Sequence, residues 1–176
     1  MDCIEEIIAL FESRGRTAYL GEAVSQREHA LQAAQLAVRD GAGDALVVAA
    51  LLHDIGYLVG SSDAPHEHRG SDWLVQHFGQ EVTQPIRLHV IAKRYLCTVD
   101  PAYAQYLSRA SILSLHHQGG PLSIDELHCF ELNRFHQDAI KVRRWDDRAK
   151  TPGLAVPEPL DYLPILRRVV ITPPKN

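Results

Sequence analysis

The sequence is poor in the features that would place it in several large classes. Its three cysteines, Cys3, Cys97 and Cys129, are odd in number and show no CxxC spacing, which argues against a disulfide framework or a cysteine-rich zinc site. A basic excess is missing: 18 Lys and Arg stand against 22 Asp and Glu, so no general nucleic-acid surface is expected. No apolar run approaches the roughly 18 residues of a membrane span. The opening stretch MDCIEEIIALFESRG is acidic and amphipathic, with no basic segment before an apolar core, and does not read as a signal peptide. Period-2 alternation is also absent, which leaves no convincing strand. These absences point to a soluble cytoplasmic protein without membrane or nucleic-acid partners; monomer and homodimer both stay open. At 176 residues and 45% apolar content, the chain suffices for one domain over 1–176 with a proper core.

What is present is helical periodicity. Ile4, Ile7, Ile8 and Phe11 share one face of a first helix that ends at Arg14-Gly15. SQRE at 25–28 is a capping box, Ser25 with Glu28, that opens a helix to about Val38. Gly41 and Gly43 end it, and Asp44 is expected to cap an apolar helix that runs into His53-Asp54. A polar loop, GSSDAPHEH, leads to a helix expected over Gly70 to Phe78. Pro85 suits a first helical turn, with the helix continuing to about Tyr95. A short helix is expected near Pro101-Ala102, SIDE at 123–126 is a second capping box, and a long helix should cover Phe135 to about Lys150. Six prolines in the last 26 residues imply an extended tail over 151–176. The fold class is all-α.

Ten histidines are the unusual number, and their positions matter more than their count. His53 and Asp54 end a helix too apolar to be exposed, and a buried imidazole and carboxylate are costly unless paired or metal-bound. His29 lies one turn into the capped helix beside Ala30, Ala33 and Ala34, whose small size permits close packing. His89 shares a helix face with Lys93. His66 sits just before the Gly70 helix. Asp146, in RRWDDRAK, follows Trp145, whose burial would pull one aspartate inward. His29, His53, Asp54, His66, His89 and Asp146 together offer four imidazoles and two carboxylates. Nitrogen and oxygen donors without thiolate suit iron, manganese, zinc or nickel. Six protein ligands are too many for one catalytic metal with an open position and about right for two metals bridged by a carboxylate. His77, His116, His117, His128 and His136 read as surface or structural residues.

The pattern H…HD…D, here His29, His53-Asp54 and Asp146, resembles the HD-domain superfamily, and LLHDIG matches it strongly. His66 and His89 place the chain with the dinuclear members, in which Asp54 would bridge the ions. His29, His53 and Asp146 would then hold one ion and His66 and His89 the other. His66 is preferred to His68 from the superfamily's HExxG register, and Asp146 to Asp147 from the WDDxxK register of the related inositol oxygenases.

Dinuclear members divide between phosphoester hydrolysis, as metal-dependent phosphohydrolases of nucleotides, and dioxygen activation. TAYLGEAVSQREHA, HVIAKRYL, VDPAYAQYLS and SLHHQGGP are similar to segments of the mixed-valence diiron oxygenases that cleave 1-hydroxyphosphonates, the PhnZ-like group. The similarity spans roughly residues 15 to 155. It implies two iron ions, Fe(II)/Fe(III), with O2 as co-substrate, acting on a 1-hydroxy-2-(amino or trimethylammonio)ethylphosphonate. The products would be inorganic phosphate and glycine or a betaine-type carboxylate. Tyr19 would cover the open iron position until substrate displaces it, Glu22 would take the ammonium end, and Lys93 the phosphonate. Arg143, Ser111 and Gln118 are further candidates for substrate contact. Tyr57 follows HDIG where the best-known member has a histidine near the substrate; with Tyr19, it offers a ring to a cationic substrate end.

Overall fold

The computed structural model describes residues 2–17, 19, 21–60 and 63–171. Among them are nine α-helices and no strand, apart from one isolated bridge between Phe78 and Val170. The helices are α1 (Cys3–Ser13), α2 (Gln26–Arg39), α3 (Asp44–Leu52), α4 (His66–Leu74), α5 (Gln80–Val99), α6 (Arg109–His117), α7 (Ile124–Leu132), α8 (His136–Arg148) and α9 (Leu163–Val169). Short 3-10 turns at Ile55–Tyr57, Tyr103–Tyr106 and Pro159–Tyr162 link them. No helix among the described residues is long and apolar enough to cross a membrane.

α3 is the axis of the fold. Val47 to Leu52 are all buried, because α2, α5, α8 and α9 pack around them. A helix apolar on every side is stable only when enclosed in this way. α2 comes close through a stripe of small residues, Ala30, Ala33, Ala34 and Ala37, each at most 4% exposed. Ile4, Ile7 and Phe11 of α1 close one flank of the same core. Capping boxes open α2 (Ser25 with Glu28) and α7 (Ser123 with Glu126), and a third, Asp2 with Glu5, opens α1.

Several boundaries differ from the sequence expectation, each for a local reason. Asp44 does not cap α3: Gly43 holds the cap position, and the Asp44 carboxylate pairs with Arg168 of α9 at 2.7 Å. α4 begins at His66 rather than Gly70, so His66 is its first residue. Pro85 lies inside α5 rather than in its first turn, since the helix already starts at Gln80; the carbonyl four residues earlier loses its helical donor there. Near Pro101 the chain makes only a 3-10 turn, and α6, which the pattern did not suggest, follows it. The tail is not extended throughout. Pro164 falls at the start of α9, where a missing N–H costs nothing, and Leu166 is wholly buried against the core. Ile171 N–H then donates to the His77 carbonyl at 2.8 Å. The part of the tail at 172–176 lies outside the described residues.

Gly56 has a packing role. A Cβ there would collide with the His66 carbonyl oxygen and stand 2.7 Å from its carbon and 2.9 Å from the Gly70 nitrogen. Gly70 is its counterpart, since a Cβ on it would meet the Gly56 nitrogen at 3.0 Å. Two glycines thus let the 55–57 turn and α4 touch backbone to backbone, which brings His66 to Asp54.

Candidate metal centre and substrate cavity

Five helices and one 3-10 turn deliver the six ligand-type residues to one place. His29 comes from the second turn of α2, His53 caps the C-terminus of α3, Asp54 precedes the 3-10 turn, His66 opens α4, His89 lies mid-α5 and Asp146 in the last turns of α8. The structure gathers them into two adjacent groups, His29, His53 and Asp146, and Asp54, His66 and His89, with the ligand atoms of each group within 4.8 Å of one another. The Asp54 carboxylate lies between the groups. Its Oδ2 stands 3.4 Å from His53 Nε2 and 3.7 Å from His29 Nε2; its Oδ1 stands 3.0 Å from His66 Nε2 and 3.5 Å from His89 Nε2.

The outward nitrogens of the rings are already in use. His29, His53 and His89 direct Nδ1 at the carbonyls of Ala149, Ala50 and Ile86, at 2.8, 2.8 and 2.7 Å. A carbonyl only accepts, so each Nδ1 carries the proton. His66 Nδ1 faces the Glu67 carboxylate at 3.2 Å. Every Nε2 therefore points inward, and in the neutral ring it carries the lone pair that metal ligation requires. Inside, His29 Nε2 and His53 Nε2 are 3.0 Å apart, and His66 Nε2 and His89 Nε2 are 3.2 Å apart. Two lone pairs at that distance repel unless a cation stands between them. Two nitrogens bound at about 2.1 Å and a right angle would themselves be about 3.0 Å apart.

Charge leads to the same conclusion. Asp54 Oδ2 and Asp146 Oδ1 are buried with no hydrogen-bond partner, an expensive state for carboxylate oxygens. Burial opposes a charge on His53, yet the Asp54 and Asp146 carboxylates outweigh it and draw the imidazole up to about 9. The pocket as built is short of positive charge. The residues present therefore fit two metal ions held by nitrogen and oxygen.

Beside the ligands lies a small, partly open cavity of about 60 Å³. Tyr19, Glu22, Tyr57, Lys93, Ser111, Gln118 and Arg143 all line it. The two tyrosines flank the two groups in matching ways. Tyr19 stacks on His29 with ring centroids 4.0 Å apart, and Tyr57 stacks on His66 at 4.2 Å. Burial, then the Asp54 and Asp146 carboxylates, hold the Tyr19 phenol well above its ordinary value, so it stays protonated. Lys93 is 2% exposed and donates to Ser114 Oγ at 2.7 Å; burial and the neighbouring Arg143 lower its ammonium to about 8.

Arg143 lines the cavity and also anchors the aspartates beside it. Its guanidinium binds Asp146 at 2.8 Å, pairs with Asp147, and donates to the Tyr103 hydroxyl at 3.2 Å. With those donors committed to carboxylates and a phenol, Arg143 fixes the orientation of Asp146. The alternatives at the ligand positions also separate. Asp147 turns to Tyr103 and Arg143, away from the imidazoles, while Asp146 Oδ1 lies 3.3 Å from His29 Nε2.

No family model matches the chain. Over 171 residues it is 45% identical to the hydroxymethylphosphonate dioxygenase of Gimesia maris, covering 90% of this chain and 85% of that protein. Over 176 residues it is 39% identical to the glycine-betaine-forming 1-hydroxy-2-(trimethylamino)ethylphosphonate dioxygenase of Leisingera caerulea, covering 95% and 90%. The chain belongs to this family of hydroxyphosphonate dioxygenases. An uncharacterised protein of Acanthamoeba polyphaga mimivirus is 35% identical over 90% of this chain and 77% of its own.

Membership in the hydroxyphosphonate dioxygenases directs attention to cavity residues that the sequence reading passed over. Ser114 lies one turn beyond Ser111 on α6, a spacing that puts both hydroxyls on one face. Lys150 lies four residues after Asp146, as Lys93 lies four after His89, and that shared spacing was the available signal. Outside the cavity lining, Glu67, buried beside His66, lay in plain view within HExxG.

Proposed function

We propose that the chain is a dinuclear iron oxygenase that uses O2 to cleave the C–P bond of a 1-hydroxyphosphonate. The observation that carries this reading is the Asp54 carboxylate set between two imidazole pairs at the wall of a cavity holding a buried lysine with no ion pair among the described residues. His29, His53 and Asp146 would hold one ion, His66 and His89 the other, with Asp54 shared. The ions supply Lewis-acid orientation of the substrate oxygens and, as an Fe(II)/Fe(III) pair, the redox capacity to activate O2. The balanced reaction is R–CH(OH)–PO3(2−) + O2 giving R–COO(−) + HPO4(2−) + H(+). The carbon is oxidised, the C–P bond is broken, and both atoms of dioxygen end in the products.

The chain's own residues supply binding and order. Lys93 forms no ion pair among the described residues, so its ammonium is available to a phosphonate oxygen. Ser111, Ser114 and Gln118 on and just beyond α6 add hydroxyl and amide donors around it. Tyr19, packed flat on His29, bounds the cavity at the first ligand group and keeps bulk water from it. Tyr57 bounds it at the second. Arg143 holds Asp146 ionised and aligned.

The experiment is metal analysis with electron paramagnetic resonance on the full chain purified without oxygen. Two irons per chain and a coupled Fe(II)/Fe(III) signal that sharpens when a 1-hydroxyphosphonate is added are expected. One metal per chain, or a signal indifferent to the phosphonate, would overturn the assignment.

A further inference from the structure

Two lysines reach the cavity, and their surroundings differ. Among the described residues Lys93 donates to the Ser114 hydroxyl alone, whereas the Lys150 ammonium stands 3.3 Å from Glu22 Oε1 and 2.8 Å from Ser111 Oγ. Glu22 also accepts from the Ser108 hydroxyl, so its carboxylate is held from two sides. The side chains of Glu22 and Lys150 are 14% and 13% exposed, which makes this a largely enclosed pair rather than a surface one.

Lys150 is placed deliberately by its backbone. On one side, the Ala149 carbonyl receives the His29 Nδ1 proton at 2.8 Å. On the other, the Gln32 amide clamps Thr151 twice, donating to its carbonyl at 2.8 Å and accepting from its N–H at 3.0 Å. With both neighbours tied to α2, the Lys150 side chain has little choice but to extend over the cavity. A carboxylate lining a ligand cavity is a receptor for a cation. Here the chain supplies that cation itself.

We propose that Lys150 is a specificity-determining residue, acting as the resident counter-ion of Glu22. The proposal rests on the hydroxyphosphonate reading above and narrows its substrate class. A hydroxyphosphonate with an uncharged C1 substituent, as in hydroxymethylphosphonate, enters with the ion pair intact. One bearing an amino or trimethylammonio tail reaches Glu22 only by displacing Lys150, and while the pair persists the two cations repel.

The test compares wild type, Lys150→Met, Lys150→Arg and the double variant Glu22→Gln/Lys150→Met, each as metal-loaded full chain. Calorimetric titration without oxygen gives the affinity for hydroxymethylphosphonate and for 1-hydroxy-2-(trimethylammonio)ethylphosphonate, and kcat/KM in air follows. Wild type should favour hydroxymethylphosphonate by about tenfold or more, as expected when a like charge must be displaced. Lys150→Met should move the ratio about tenfold or more toward the cationic phosphonate, and Glu22→Gln in that background should cancel the shift. Lys150→Arg, which keeps the charge, should leave the ratio near wild type and serves as the folding control. A ratio unmoved by Lys150→Met, or a wild type that already prefers the cationic phosphonate, overturns the proposal. Binding in the predicted order without oxygen-dependent turnover of either compound supports the specificity and overturns the oxygenase reading. Binding of neither compound overturns both.

Discussion

Asp54→Asn is expected to abolish oxygen-dependent phosphate release, lowering it by about a thousandfold or more, because it removes the one carboxylate that lies between the two ligand groups and would join the proposed ions. The asparagine side chain is nearly isosteric, so the packing around α3 survives and the loss falls on the metals. In the native chain Oδ1 serves His66 and His89 while Oδ2 serves His53 and His29, at 3.0 to 3.7 Å. An amide can offer one oxygen and turns an N–H2 toward the other pair of imidazoles, replacing attraction with repulsion between donor and cation. Iron content should fall from two per chain to one or none, while far-ultraviolet circular dichroism stays helical. Two tightly held irons in Asp54→Asn would show that the carboxylate does not join the sites.

Gly56→Ala should be the most damaging single methyl group in the fold. The added carbon would strike the His66 carbonyl, which is backbone and cannot rotate aside, and Gly70 behind it leaves no slack. Overpacking in a close-packed interior costs about 1–3 kcal/mol, occasionally more, and this contact belongs at the upper end. At about 3 kcal/mol the thermal midpoint of a chain of this size drops by roughly 6–12 °C. The relief available is outward movement of α4, which withdraws His66 from Asp54. The variant should therefore lose the ion at His66 and His89 before the one at His29, His53 and Asp146, seen as one metal per chain at temperatures where it is still folded. A Gly56→Ala chain with wild-type midpoint and two metals would contradict the close-approach argument.

Much of this centre was legible because each ligand-type residue carries a local cue. Ser25 and Glu28 fix the start of α2 and hence the face of His29; the apolar run through Leu52 delivers His53 and Asp54; Trp145 anchors the face of Asp146 by burying its ring and donating to Asp40 at 2.7 Å. Three things were not legible, for physical reasons. The Lys150 side chain owes its place to Gln32, more than a hundred residues away, and no local pattern encodes that clamp. The sequence offers Arg143 only as a candidate substrate contact; its bond to Tyr103 comes from a distant turn, although Asp146 and Asp147 lie one helical turn away. α6 escaped because RASILSLHH has a serine-rich face that lines a cavity rather than a core, so its apolar periodicity is weak. The tail misled in the opposite sense: proline density suggested extension, but Pro164 sits where a helix tolerates it.

The most direct test of the central claim is the stoichiometry of oxygen against phosphate. Iron-loaded chain and a 1-hydroxyphosphonate are combined in a closed oxygen-electrode cell, and phosphate is assayed in the same vessel. One O2 should be consumed per phosphate released, with formate as the carbon product from hydroxymethylphosphonate and no phosphate once oxygen is removed. Phosphate release that continues at the same rate without oxygen would contradict it and assign the two-metal centre to hydrolysis.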